Sequence, residues 1–223
     1  MNRKEIDFDL YLIADTGQVQ RDLFSSVKEA IDGGVKGVQL RGKKMPLKEF
    51  LKIGEGLRRL TAENSVEFFI NDRIDVAMAL DADGIHLGQD SFSVKVARRI
   101  LGDRFIIGVS THSLKEAREA ESAGADFITF GPVFATPTKL VYGPPVGLRK
   151  LSSVTKGIKI PVFAIGGIKV EKVKSVIEKG AYGVAVISAI LNSRSVNAAT
   201  VGMLDELSLW KNSRDILQYA PAV

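Results

Sequence analysis

The sequence predicts an α/β protein built as a single (β/α)₈ barrel, a TIM barrel with eight parallel strands, and three observations support this. Short apolar runs alternate with longer amphipathic segments along the whole chain. The runs are hydrophobic at both alternating positions, as is typical of strands buried on both faces of a parallel sheet. A glycine-bearing turn recurs before four of them, which indicates stacked βα units. Eight strands in 223 residues favour a barrel over an open doubly wound sheet.

The individual elements follow from these patterns in chain order. The predicted strands are 11–14, 37–41, 68–71, 84–88, 105–110, 127–133, 161–166 and 183–188. Helical spacing of apolar residues predicts helices at 47–63, 93–101, 114–123 and 170–180. From about residue 192 we expect a closing helix, MLDELSLWKN, and a loose tail. No linker or charge block divides the chain, so 1–223 is predicted to form one domain.

Charge and composition narrow the classes of partner. The chain has 31 Lys and Arg against 26 Asp and Glu, a net charge of +5, and only 7% aromatic residues. The basic residues are spread along the chain instead of forming a stripe with aromatic residues, so no nucleic acid is expected as a partner. A basic surplus also raises the local concentration of small anions. Small phosphorylated substrates are therefore the predicted partners.

The chain contains no cysteine, which excludes disulfides, a thiolate nucleophile and a zinc–thiolate site. This composition fits a cytoplasmic protein. The start of the chain has no apolar run of the kind that signal peptides carry. The longest apolar run, 183–191, is far shorter than the roughly 20 residues of a membrane span. We therefore expect no membrane as a partner, and a homo-oligomer is left open.

Polar, charged or glycine residues follow the predicted strands from the second to the eighth. In a barrel the C-terminal strand ends meet on one face, and active sites form there. The residues at these exits are Arg41, Lys43 and Lys44; Asn71 and Asp72; Gln89 and Asp90; Ser110, Thr111 and His112; Thr136, Thr138 and Lys139; Gly166 and Gly167; and Ser188. The N-terminal strand ends show nothing comparable. One face is thus predicted to gather cations, carboxylates and backbone amides.

These residue types match a phosphorylated ligand held together with a divalent metal ion. Lysine and arginine neutralise phosphate, and arginine can bind it with two hydrogen bonds. Carboxylates such as Asp72 and Asp90 supply the oxygen ligands that Mg²⁺ prefers, and Mg²⁺ often bridges to substrate phosphates. The Gly166–Gly167 pair lets backbone N–H groups approach an anion, and the helix that follows would add its positive end. Mg²⁺ is the predicted cofactor.

Each of these residues also has a purely structural interpretation. Lys43 and Lys44 could be solvated, and Asp72 could cap the helix that follows. Asp90 could lie in an N-cap region. His86 lies between Ile85 and Leu87 inside a strand, which favours a core role over catalysis. These interpretations do not explain why the strand exits at one face are all polar.

Seven segments in order, QLRGKK, FINDRIDVA, DADGIHLGQD, GVSTHS, FGPVFATPTK, PVFAIGGI and GVAVISAI, resemble the thiamine-phosphate synthase family. The resemblance covers the chain from about Tyr11 to Leu191. Members of that family are Mg²⁺-dependent TIM barrels. They join a pyrimidine diphosphate to a thiazole phosphate, and they release pyrophosphate and thiamine phosphate. The resemblance implies ionisation of the diphosphate to a carbocation, which the thiazole nitrogen captures.

The resemblance also implies roles for individual residues. Those expected to hold the pyrimidine diphosphate are Gln39, Arg41, Lys43, Asn71, Ser110 and Lys139. Those expected to hold the thiazole phosphate are Thr136, Thr138, Gly167, Ile187 and Ser188. Asp72 and Asp90 are the expected Mg²⁺ ligands. The expected catalytic residues are Lys139, Arg41 and Lys43, because departure of pyrophosphate requires positive charge, together with Ser110. The 139–147 loop is interpreted as a lid that excludes water.

Two departures from the family pattern leave alternatives open. The family usually has glutamate where this chain has Gly42, and an acidic residue where it has Ser91. The related thiazole tautomerases share the barrel, and the DSFS segment is similar to theirs, although they lack an intact TPTK. A third possibility is a regulatory barrel that binds a thiazole phosphate or thiamine phosphate without catalysis. The synthase is the leading interpretation.

Overall fold

Eight parallel strands close into a barrel in the computed structural model, which describes residues 5–136 and 144–219, with side chains as far as residue 212. The strands are β1 (Leu10–Asp15), β2 (Gly37–Arg41), β3 (Glu67–Asn71), β4 (Gly84–Leu87), β5 (Ile106–Thr111), β6 (Phe127–Phe130), β7 (Val162–Ile165) and β8 (Gly183–Val186). Each strand pairs with the next in the sequence, and β8 pairs with β1. The predicted (β/α)₈ architecture is confirmed, with strand bounds close to those expected.

Helices connect successive strands and surround the barrel. They are α1 (Leu23–Asp32), α2 (Leu47–Glu63), α3 (Ile74–Ala79), α4 (Val94–Leu101), α5 (Leu114–Ser122), α6 (Gly147–Gly157), α7 (Val173–Ile177), α8 (Ser188–Leu191) and α9 (Val196–Tyr219). The amphipathic pattern predicted the bounds of α2 without error. A search of the described residues finds no helix whose length and apolar character would let it span a membrane.

Three elements differ from the sequence expectation. Strand β6 ends at Phe130, because residue 132 is a proline and has no N–H to continue the ladder. The segment predicted as a helix over 170–180 is a 3₁₀ turn followed by the five residues of α7. Helix α9 continues to Tyr219, so the expected loose tail is helical over most of its length.

Side chains inside the barrel form an apolar cluster separate from the one between sheet and helices. The inner cluster contains Phe8, Tyr11, Ile13, Phe69, Ile106, Phe127, Phe163 and Ala185. On β1 its members Tyr11 and Ile13 occupy alternate positions, because successive side chains of a strand point to opposite faces. Rings fill the N-terminal end of the barrel: a Cβ at Gly37 would lie 2.7 Å from Phe8, and one at Gly84 2.4 Å from Phe69. The apolar plug leaves the C-terminal end for polar groups.

Candidate active site

Four residues predicted for the site face the barrel interior near its C-terminal end. Gln39 and Arg41 share the alternation of β2, and Asn71 lies two positions after the inner-cluster residue Phe69 on β3. Ser110 occupies the matching position on β5, four residues after Ile106. Because the strands are parallel and adjacent, these side chains converge above the apolar plug. The structure therefore brings together residues that are as far apart as 39 and 110 in the sequence.

A hydrogen-bonded chain links three of the predicted residues. Gln39 Nε2 donates to Asn71 Oδ1 at 2.8 Å, and Asn71 Nδ2 donates to Asp72 Oδ2 at 2.6 Å. Gln39 is only 1% exposed, and its Oε1 has no hydrogen-bond partner in the described structure. Since a buried acceptor without a partner is uncommon, this atom is available to a donor that the protein does not supply.

Asp72 occupies a left-handed backbone conformation, with φ at 61°, immediately after β3. Its Oδ1 accepts hydrogen bonds from the Gly88 N–H at 2.9 Å and from the Ser91 hydroxyl. Helix α3 begins after Arg73 without a side-chain cap, so the capping interpretation of Asp72 is wrong. The carboxylate is held in a fixed orientation at the strand ends instead.

The Ser110 side chain contacts a buried histidine, His86. His86 Nε2 lies 3.0 Å from Ser110 Oγ and 3.3 Å from Thr129 Oγ1. Burial lowers the pKa of His86 to about 4, so the imidazole is neutral at physiological pH. The predicted burial of His86 is confirmed, but its polar atoms are not all satisfied, because Nδ1 has no partner in the described structure. His86 thus continues the polar layer from β3 to β5.

Arg41 pairs with a carboxylate that sequence reasoning missed. Asp15, at the end of β1, is 4% exposed and accepts a hydrogen bond from Arg41 NH1. Asp15 also accepts from Gly17 N at 3.0 Å and Gln18 Nε2 at 2.9 Å. The signal was present, because Asp15 directly follows the run YLIA, but the exit of the first strand was not considered. Lys43, by contrast, is exposed on the loop after β2.

The exit of β7 is a tight turn against the exit of β6. Gly166 and Gly167 have φ values of 94° and 64°, and a Cβ on Gly167 would lie 2.6 Å from the Ala135 carbonyl oxygen. Phe134 N donates to Gly166 O at 3.0 Å, which joins the two segments. Only glycine fits a position that combines positive φ with such close backbone contact.

The remaining residues predicted for the site either lie at the C-terminal face of the barrel or are outside the residues that the structure describes. Ile187 is half-buried, and Ser188 is exposed at the start of α8, directly after β8. Thr136 is half-buried after β6. Thr138, Lys139 and most of the interpreted lid lie outside the described residues. The expected helix contribution behind Gly167 is weak, because a 3₁₀ turn and only five helical residues follow.

The two predicted metal ligands differ in placement. Asp72 is fixed at the C-terminal strand ends, which form the rim of the barrel. Asp90 is exposed in the turn before α4, and Ser93 caps that helix. No group of three or more His, Cys, Asp or Glu suited to a metal occurs among the described residues. Mg²⁺ that arrives with phosphate needs only one or two carboxylates. This donor set fits Mg²⁺ shared with a substrate and does not fit a metal held by protein side chains alone.

Comparison with known proteins identifies the family of the chain. A family model described as thiamine monophosphate synthase matches residues 10–190. The thiamine-phosphate synthase of Syntrophomonas wolfei is 46% identical over 191 residues, covering 85% of this chain and 91% of that protein. That of Clostridium novyi is 44% identical over 197 residues, covering 88% and 97%.

A solved structure is similar along almost its whole length. The thiamine phosphate pyrophosphorylase of Pyrococcus furiosus superposes with a TM-score of 0.84 at 39% identity, covering 91% of this chain and 96% of that one. The matched region contains all eight strands and the rim residues described above. The chain belongs to the thiamine monophosphate synthase family.

Proposed function

We propose that this protein is a thiamine-phosphate synthase, a transferase that couples a pyrimidine diphosphate to a thiazole phosphate. In the reaction the bond between the pyrimidine methylene carbon and the diphosphate oxygen breaks. A bond between that carbon and the thiazole nitrogen forms, and pyrophosphate leaves with the bonding electrons. The observation that carries the proposal is the chain Gln39–Asn71–Asp72 at one strand-end face, with Arg41 and Ser110 beside it.

The part of the site nearest β2 and β3 suits the diphosphate. The Arg41 guanidinium is only partly buried, with 24% of the side chain exposed, and Asp15 fixes one side of it. The remaining N–H groups can donate to phosphate oxygens. Lys43 is close in sequence and exposed, so it can add charge when a ligand binds. Positive charge that is already in place stabilises pyrophosphate as the bond breaks, without reorganisation during the step.

The opposite part of the site, at β7 and β8, suits the thiazole phosphate. The backbone amides of Gly167, Ile187 and Ser188 follow the two strands whose ends commonly bind phosphate in this architecture. Thr136, in the described part of the segment after β6, would lie between the two substrates. This division keeps two anionic groups apart while the methylene carbon and the ring nitrogen meet at the barrel axis.

Mg²⁺ would be held by Asp72 and Asp90 together with the diphosphate. When bound, the ion neutralises charge on the leaving group. Asp72 already accepts hydrogen bonds from Asn71, Gly88 and Ser91, which leaves about one lone pair for a metal. The chain's own contribution is therefore a single oriented carboxylate, which the exposed Asp90 would join from the position next to Ser91, the residue that donates to Asp72.

Replacing Asp90 by asparagine tests the second metal ligand. We expect the Mg²⁺ concentration for half-maximal activity to rise about tenfold, as the loss of one charge-assisted contact of about 1.5 kcal/mol implies. The rate at saturating Mg²⁺ should stay near that of the wild type. A Mg²⁺ titration of initial rates measures both quantities. An unchanged Mg²⁺ requirement would leave Asp72 as the sole carboxylate ligand.

Replacing Gly167 by alanine tests the thiazole phosphate site. The added Cβ would collide with Ala135 O and would strain a φ of 64°, so the turn must shift. We expect the KM for thiazole phosphate to rise at least about tenfold, with the KM for the pyrimidine diphosphate unchanged. Gly102→Ala is the matched control: its φ is 67°, but a Cβ there meets nothing within 4 Å. Equal changes in both KM values would argue against this assignment.

The function itself is tested by incubating the protein with both substrates and Mg²⁺. Formation of thiamine phosphate with an equal amount of pyrophosphate supports the synthase. Isomerisation of the thiazole alone, without a metal requirement, would identify a tautomerase. Tight binding of a thiazole phosphate without turnover would identify a regulatory barrel. Product formation that is unaffected by a chelator would contradict the role given to Mg²⁺.

A further inference from the structure

Lys172 is placed beside the tight turn at the end of β7. It ends the 3₁₀ turn Val170–Lys172 and is half-buried. Its Nζ donates a hydrogen bond to Gly167 O at 3.2 Å and lies 4.5 Å from the centroid of the Phe134 ring. The ammonium is thus held from two sides, by a carbonyl and by an aromatic face. It lies next to the residue whose backbone amide is proposed to bind phosphate.

The charge of this ammonium is not balanced by a carboxylate in the described part of the chain. No ion pair within 4.0 Å joins Lys172 to an aspartate or glutamate there, whereas Lys174, two residues later, pairs with Glu178. An ammonium has three donors, and Gly167 O and the Phe134 ring account for two directions. A cation that is held in place, has one donor left and lies beside the half-buried turn of Gly166 and Gly167 is suited to an anionic ligand.

We propose that Lys172 binds the phosphate monoester of the thiazole substrate and determines the preference for that phosphate over the corresponding alcohol. This inference rests on the proposed function and adds a specificity-determining residue to it. The sequence alone did not indicate the role, because the helical pattern of 170–180 places Lys172 among several lysines of a solvated face. The contacts of its ammonium group with the Phe134 ring and with Gly167 O distinguish Lys172 from the neighbouring lysines.

A purely structural role for Lys172 makes a different prediction. If the ammonium only fixed the turn through its hydrogen bond to Gly167 O, glutamine, whose side-chain amide also donates, would retain the preference for the phosphate. If it contacts the phosphate, its loss affects the phosphorylated thiazole alone. Hydrogen bonds to charged groups are strong enough that one of them changes affinity by about 10- to 100-fold.

The experiment compares thiazole phosphate with the unphosphorylated thiazole alcohol at saturating pyrimidine diphosphate. The quantity measured is the ratio of the two kcat/KM values within one preparation. A partial loss of folded enzyme cancels in this ratio, so a destabilised variant is still informative. The variants are Lys172→Gln, Lys172→Arg, which keeps the charge, and Lys174→Gln. Lys174 is the matched control, since it also covers an aromatic ring, that of Trp210 on α9, at 4.2 Å.

We expect Lys172→Gln to lower the preference for the phosphate by about 10- to 100-fold. Lys172→Arg should recover most of it, and Lys174→Gln should leave it unchanged. A preference in Lys172→Gln equal to that of the wild type overturns the inference and leaves the proposed function intact. A similar loss in Lys174→Gln also overturns it, because the effect would then be one of general surface charge. If the wild type forms no thiamine phosphate at all, the proposed function fails instead.

Discussion

Replacing Asp72 by asparagine is expected to lower kcat by about 10²–10³-fold, the scale associated with one preorganised electrostatic group. The substitution removes a negative charge and leaves the size and shape of the side chain almost unchanged. Asparagine is also among the residues that tolerate the left-handed conformation of this position, whose φ is 61°. The substitution should therefore weaken the binding of Mg²⁺ and diphosphate and leave the stability of the fold nearly unchanged.

The hydrogen-bonded chain can adapt to this substitution. The new side-chain amide would face the Asn71 amide, which donates to Asp72 in the wild type. If Asn71 turns its amide over, its own NH₂ then needs an acceptor, and Gln39 Oε1 is buried without a partner. Turning over the side-chain amides of both Asn71 and Gln39 restores the series of hydrogen bonds. About one buried donor group, the NH₂ of Gln39, is then left without an acceptor. We expect a change in Tm within about 4 °C, because one imperfect polar contact costs about 1 kcal/mol.

Steady-state rates over a Mg²⁺ titration, with a thermal melt of each protein, check both expectations. Asp75→Asn is the matched control, since it removes an exposed carboxylate on α3 that pairs with Arg73. That variant should keep the wild-type rate. A full rate in Asp72→Asn would mean that the metal and the diphosphate are held without this carboxylate. A large fall in Tm would mean that the charge serves the fold.

Much of this site could be predicted because barrel geometry converts strand ends into one surface. Asn71 and Asp72 illustrate this: they follow a buried run directly, and parallel strands must place them beside the exit of the next strand. The bounds of α2 were predictable because a long amphipathic segment has one strongly preferred conformation. In each case a local pattern and the overall architecture lead to the same result.

Other features depend on tertiary contacts that no local pattern records. The turn in which Ser91 N donates to Gly88 O brings Ser91, and not Asp90, onto Asp72. Composition predicts a turn there but not which side chain faces inward. The role inferred for Lys172 depends on the approach of a segment that lies nearly forty residues earlier in the chain. Such contacts appear only once the strands are closed.

The recurring sequence turns have a structural counterpart at the N-terminal end of the barrel. Asp83, just before β4, accepts from Phe68 N of β3 at 3.0 Å and from Arg58 of α2 at 2.8 Å. Asp126, just before β6, accepts from Ile107 N of β5 at 2.7 Å and from Arg98 of α4 at 2.5 Å. Each carboxylate joins the preceding strand to the α-helix that comes directly before that strand. The repeat therefore stabilises the barrel away from the site.

Replacing Arg98 by methionine is expected to destabilise the fold by about 3–5 kcal/mol, the cost of breaking a buried pair from one side. The Arg98 and Asp126 side chains are only 14% and 8% exposed. Besides Asp126, the guanidinium donates to the carbonyl oxygens of Gly102, Phe105 and Gly124 at 2.8–2.9 Å. Methionine fills a similar volume but removes the arginine donor from these carbonyl oxygens and the opposite charge from Asp126, which keeps its hydrogen bond from Ile107 N.

For a chain of this size, that loss corresponds to a fall in Tm of roughly 6–20 °C, measurable by a thermal or urea melt. Arg99→Met is the matched control, because its side chain is exposed on the same helix and its removal should change Tm little. Adding Asp126→Asn to Arg98→Met should recover part of the loss, since the buried negative charge that faced Arg98 is then gone. The kcat per folded molecule should stay at the wild-type value, because Arg98 acts at the opposite end of the barrel from the site. Equal Tm values for the two arginine variants would show that the buried network contributes no net stability.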